Sequence, residues 1–144
     1  MSLFYEDVNA GDELPPLVRG PIEPIDLVRY AGACGDFNPI HTVPSVAQEV
    51  GLDGIIAHGM LVMAYAGQVV TNWAGPGTMR HFKVRFSGMT VPGETLVCEA
   101  RVTGKESADG QHLVRGRLTV KGQADDSLKL KGEFTVALPS KAED

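Results

Sequence analysis

Cysteine is nearly absent from this chain: Cys34 and Cys98 are the only two, far apart and without C-x-x-C spacing. That excludes a disulfide framework and a thiolate zinc cluster, leaving two reduced thiols as the plain expectation. Basic runs are missing too. Thirteen Lys and Arg are scattered among eighteen Asp and Glu, for a net charge of −5. Neutralising phosphates needs clustered cations, so no nucleic-acid partner is expected. Residues 1–9 show no basic stretch followed by an apolar one, which argues against a secretory leader. The longest apolar run, residues 60–66, falls far short of the roughly 20 residues that span a bilayer. A soluble cytoplasmic protein with no membrane partner is the expectation.

What is present suits one domain over residues 1–144, long enough to bury a core. Residues 1–23 are rich in Pro and Gly and read as extended chain with an edge strand. Pro24 at a first helical position, Asp26 in the first turn, apolar residues at helical spacing and Gly35 as a stop predict a helix over 24–34. A short helix over 44–50 is closed by Gly51. Residues 60–70 then show almost no polar face, which predicts a helix buried all round, ended by Gly75-Pro76-Gly77. In so small a chain only a curled sheet can supply that cover.

The remainder alternates. Residues 81–86 read as a strand ending at a bend at Ser87-Gly88. Leu96, Cys98, Ala100 and Val102 share one strand face, and Val114, Gly116, Leu118 and Val120 share the next. Leu128, Leu130, Phe134, Val136 and Leu138 form a third apolar row, with Lys129, Lys131, Glu133 and Thr135 opposed to it. Asp109-Gly110 is a two-residue hairpin signal. Period-two patterning in three successive segments predicts an antiparallel meander with one wet face. The fold class is therefore α+β: an antiparallel sheet wrapped around one long central helix, a hot-dog-like architecture.

One stretch carries chemistry. Residues 30–41 place Asp36, Asn38 and His41 between Gly35 and Pro39. On a helix Asp36 and His41 would stand about 140° apart, so they converge only if the backbone turns. Pro39 provides that turn by removing a donor and pushing Asn38 out of helical geometry. By spacing alone, such an Asp and His would ordinarily be an Asx-capped turn. The wider pattern changes that reading.

The run Tyr30…Gly35-Asp36-Phe37-Asn38-Pro39-Ile40-His41, with Ala47 beyond it, resembles the hydratase motif of the MaoC-like, (R)-specific hydratase/dehydratase family. The resemblance extends through Gly51-Leu52-Asp53, Ala57-His58-Gly59-Met60, Val84-Arg85-Phe86 and Val91-Pro92-Gly93-Glu94. It is nearest to single-hot-dog forms such as the B subunit of the mycobacterial (3R)-hydroxyacyl-carrier-protein dehydratase. Val43-Pro44 stands where many relatives carry an acidic residue. The resemblance implies reversible hydration of trans-2-enoyl thioesters of coenzyme A or acyl carrier protein, with no cofactor. It also implies pairing, as a homodimer or with another hot-dog subunit.

The residues fit that chemistry. His41 suits the C2 proton because an imidazole titrates near neutrality. Asp36 is the candidate for the C3 hydroxyl, and burial beside Phe37 would favour its acid form. Gly59, at the start of the central helix, is expected to offer its N–H to the thioester oxygen. Asn38, Met60 and His58 are candidates for contact with substrate. For each a plainer reading exists: loop orientation for Asn38, core packing for Met60, and a ring bonded to nearby backbone for His58. Cys34 reads as a core residue, and Asp36, His41 and His58 lack a metal-ligand spacing. A hot-dog thioesterase and a non-catalytic subunit of a heterodimer are the competing functions.

Overall fold

The computed structural model describes residues 3–142. A short strand β1 (Leu17–Arg19) precedes three helices, α1 (Pro24–Cys34), α2 (Pro44–Glu49) and α3 (Gly59–Ala74). The long strands β2 (Met79–Phe86), β3 (Leu96–Ala108), β4 (Gln111–Gly122) and β5 (Leu128–Leu138) follow. Single 3-10 turns lie at Tyr5–Asp7 and Pro39–His41, the first of them not foreseen from the sequence.

The strands form one antiparallel sheet in the order β1-β3-β4-β5-β2. Its centre is a meander because the connections are short. Asp109 and Gly110 both take positive φ, 51° and 72°, as a type I′ turn requires, and set Ala108 opposite Gln111. Alternation then turns Leu96, Val102, Val114, Val120, Leu130 and Val136 to the concave side, where all are buried. Each such aliphatic side chain contributes about 1.5–3 kcal/mol by leaving water. Gly116 stands opposite Phe134, and a Cβ there would meet the ring at 2.2 Å. The missing side chain makes room for the largest buried residue of the core.

Helix α3 lies across the concave face and touches all five strands. Leu61, Val62, Ala66, Val69 and Val70 are its buried positions. It is not buried all round, however. Met60, Ala64, Gln68 and Asn72 form an exposed stripe at four-residue spacing, with Met60 56% exposed. The sheet covers one side of the helix only, and apolar composition could not show which side.

Two further expectations fail. Cys34 ends α1 and is exposed, so it packs in no core. Lys129 is 5% exposed although alternation put it on the wet face. The register between β4 and β5 shifts at Val120/Lys121, and there the chain turns both Lys129 and Leu130 inward.

Candidate active site

Every turn of the motif loop has a local cause. Helix α1 opens on a reciprocal capping box, with Glu23 N–H donating to Asp26 Oδ2 at 2.9 Å, and closes at Gly35, whose φ is 75°. Asp36 Oδ1 then accepts the N–H of Asn38 at 3.2 Å, and Asn38 Oδ1 accepts the N–H of Ile40 at 3.2 Å. These two successive Asx turns, with Pro39 at the first position of the 3-10 turn, reverse the chain. They also consume one carboxylate oxygen of Asp36 and leave the other, Oδ2, aimed at His41.

His41 is 7% exposed. Its Nδ1 lies 2.7 Å from the carbonyl oxygen of Ile56. A carbonyl only accepts, so Nδ1 carries the hydrogen and the neutral ring keeps its lone pair on Nε2. That lone pair faces Asp36 Oδ2 at 3.9 Å. The separation is too long for a direct hydrogen bond and leaves room for one oxygen atom to bond both groups. Asp36 does not meet the expectation of burial: its side chain is 53% exposed, and Phe37 is 70% exposed rather than packed against it.

His58 lies directly behind His41. The two rings stack with centroids 3.8 Å apart and planes 24° from parallel. His58 Nε2 lies 3.1 Å from the backbone carbonyl oxygen of Asp36 and so donates to it. Tyr30 of α1 meets the same ring edge-on at 4.9 Å. Burial pushes the Tyr30 hydroxyl above its usual range, and the neighbouring Cys34 and Asp36 add to the effect. Asp36, His41 and His58 offer ligand atoms within 4.8 Å of one another. Ring-nitrogen lone pairs lie in the ring planes, however, and stacked planes do not converge on a single ion. One nitrogen of each ring is also already given to a carbonyl.

Gly59 begins α3 beside this pair. Leu61 and Val62 donate to His58 O, which leaves the Gly59 and Met60 amides at the open end of the helix. A Cβ on Gly59 would meet the Phe86 ring at 3.2 Å, so glycine lets β2 and α3 close on each other there. A recess of about 180 Å³ opens between them, lined by His41, Ala57, Gly59, Phe86, Met89 and Lys129 among others. Larger hollows lie on the outer face of the sheet, over exposed strand residues such as Arg101, Arg117 and Lys131. They hold none of the motif. The structure thus gathers Asp36, His41, His58 and Gly59 at one place, where a carboxylate and an imidazole adjoin the amides that open α3.

A sequence profile described as "MaoC like domain" matches residues 8–124, which include all of these groups. The chain belongs to the MaoC-like domain family. It is 28% identical over 140 residues to the (R)-specific enoyl-CoA hydratase of Rhodospirillum rubrum, covering 96% of this chain and 93% of that one. It is 34% identical over 120 residues to the fatty acid synthase beta subunit pkiC of Emericella nidulans. That match covers 78% of this chain but spans only 6% of the much longer synthase subunit. Among solved structures, the unliganded R-hydratase PhaJ1 from Pseudomonas aeruginosa superposes with a TM-score of 0.85 at 26% identity, over 97% of this chain and 88% of that one.

For this MaoC-like chain, the other predicted contacts divide. Asn38 spends its side-chain oxygen on the loop itself, and His58 is buried at 2% exposure, behind His41 rather than on the open side. Met60 does stand at the open end. Sequence reasoning missed Lys129 and Glu94. Lys129 Nζ donates to Glu94 Oε1 at 2.7 Å and to Met89 O at 2.9 Å, while its carbonyl accepts from Ser87 and Gly88. This one residue ties down the 87–94 loop that walls the recess. The only available signal was a lone cation between Leu128 and Leu130.

Proposed function

We propose that the chain interconverts trans-2-enoyl and (3R)-3-hydroxyacyl thioesters of coenzyme A or an acyl carrier protein. The observation that carries this reading is the Asp36 Oδ2–His41 Nε2 gap of 3.9 Å, with the His41 tautomer held by Ile56 and the Gly59 amide alongside. Near full-length similarity to a named (R)-specific enoyl-CoA hydratase supports it.

In the dehydration direction His41 Nε2 takes the C2 proton. The charge that develops on the thioester oxygen is held by the Gly59 N–H at the positive end of α3. The C2 electron pair forms the double bond as the C3–O bond breaks, and Asp36 in its acid form gives the departing hydroxyl a proton to make water. Hydration runs the same steps in reverse. The two side chains exchange their proton through solvent between turnovers.

A second hot-dog chain, identical or related, belongs to this reading. Among the described residues no strand pairs with the outer edge of β2, and Met60, Phe37 and half of Asp36 are exposed next to the recess. A cytoplasmic location fits the exposed thiol of Cys34.

The test uses the purified chain with crotonyl thioesters of coenzyme A and of carrier protein, following enoyl absorbance and free thiol together, with native mass measured in parallel. Loss of enoyl absorbance without thiol release is the expected result. Thiol release with the enoyl group intact would make it a thioesterase. No reaction of either kind would make it a binding subunit.

A further inference from the structure

His58 takes no part in the proton transfers above, yet its side chain touches both of the residues that do. Its Nε2–H holds the Asp36 carbonyl at 3.1 Å, and its ring lies 3.8 Å over the His41 ring. It does this from inside the protein, at 2% exposure. Because Nε2 donates, Nδ1 carries a lone pair, and that buried atom finds no partner among the described residues. A phenyl ring in the same place would bring no unmet nitrogen of its own, so an imidazole here is a poor choice for packing alone. Its hydrogen bond and its stack are what a phenyl ring cannot reproduce together.

Resting on the hydratase reading, we propose that His58 is the positioning residue of the Asp36–His41 pair. The motif loop reaches His41 through two Asx turns, each an exposed bond of 3.2 Å, and a 3-10 turn held by backbone bonds of 2.8 to 3.2 Å. Those bonds shape the loop, and the bonds of Ile40 and His41 to Ile56 tie it to the segment before α3, but none of them reaches the helix itself. His58, as the residue that caps α3, ties the Asp36 backbone to the helix carrying the Gly59 amide. Its ring is a flat stop that keeps His41 from rotating away from Asp36. When His41 becomes an imidazolium, the stacked His58 ring still supports its face, with Nε2 of His58 already given to Asp36 O. One buried side chain thereby sets the acid, the base and the oxyanion donor in a common frame. Displacement of a reacting group by about 1 Å is enough to lower a rate by about 10²-fold.

The experiment compares wild type with His58→Phe and His58→Gln for thermal stability and for kcat and KM on crotonyl thioester. His58→Phe keeps a ring and removes the unmet nitrogen. It loses the bond to the Asp36 carbonyl as well, so it is expected to melt close to wild type while kcat falls about 10- to 100-fold and KM stays within about threefold. His58→Gln restores an N–H at the reach of Nε2 and is expected to recover part of the lost kcat. A folded His58→Phe with wild-type kcat would overturn the proposal. If that variant does not fold, His58→Gln decides: lowered kcat at unchanged KM supports the role, and wild-type kcat refutes it. Nitrogen NMR of wild type adds a readout independent of any variant, namely His58 protonated at Nε2 and His41 at Nδ1, and the opposite tautomers would refute the geometry. Inactive wild type would instead refute the hydratase reading, so the two failures are separable.

Discussion

His41 Nδ1 gives its hydrogen to the carbonyl of Ile56, fifteen residues further along the chain, over 2.7 Å. That bond leaves Nε2 as the only nitrogen able to take a proton from substrate. Replacing His41 or Asp36 by Ala is expected to lower kcat for crotonyl thioester by about 10²–10⁴-fold, the usual contribution of a positioned acid or base. KM should change little, because neither group need bind the carrier. Steady-state kinetics of the two folded variants checks this, and activity within tenfold of wild type in both would exclude the mechanism.

Gly59 separates two roles that a glycine can play. Gly59→Ala keeps the backbone N–H but places a Cβ 3.2 Å from the Phe86 ring. Phe86 is half exposed and can turn aside, and alanine is the better helix former of the two. Net stability is therefore expected to stay within about 1 kcal/mol of wild type, whereas kcat falls about tenfold as the wall of the recess shifts. The double variant Gly59→Ala/Phe86→Ala, which removes the obstruction, should regain most of that loss. Without such recovery, the amide itself rather than its surroundings would have been disturbed.

The ion pair under the recess is asymmetric. Lys129 is 6% exposed at its side chain and Glu94 24%. Glu94→Ala strands a buried ammonium and is expected to destabilise by about 3–5 kcal/mol. Lys129→Met leaves a carboxylate that can turn to water, and it replaces the cation by an apolar chain of similar length, so its cost should be clearly smaller. Urea unfolding of the two variants measures the difference. Equal losses would show that the pair contributes no more than either side chain alone.

How much of this could be read in advance follows from the range of the interactions involved. Helix α1 and the 109–110 turn were legible because capping, proline and glycine act within a few residues. The Asp36–His41 pairing was legible for the same reason, since Pro39 and the two Asx turns are local. The burial of Lys129 was not, because it depends on a register shift between two strands. Nor was the exposed stripe on α3, where Met60 and Ala64 are as apolar as their buried neighbours and only the placement of the sheet distinguishes them. His58 was half legible: its bond to nearby backbone was foreseen, but its stacking on His41 required the fold.

The two thiols should behave as opposites. Cys34 is exposed and Cys98 is 1% exposed, so a thiol reagent is expected to modify one cysteine at once and the second only after unfolding. Burial pushes the Cys98 thiol up to about 11 from 9.0, with Arg19 opposing weakly. Below pH 9 both states keep this proton and the full stability is present. Between pH 9 and 11 the unfolded thiol ionises first, so unfolding free energy should fall with rising pH, by up to about 3 kcal/mol. A Cys98→Ala chain should lack this component of the slope, and an identical pH profile in both proteins would contradict the assignment.

Half of the Asp36 carboxyl faces open solvent in a single chain. On the two-chain reading, that exposure makes dilution a form of inhibition. Separated protomers hold their proton donor in bulk water, where field and orientation are weak, and each is a poorer catalyst than its share of the pair. Specific activity should therefore fall as the protein is diluted through its dissociation constant and return on reconcentration. A site complete within one chain would give a rate strictly proportional to protein. The curvature of that plot reports, without any further structure, how many chains it takes to make one enzyme.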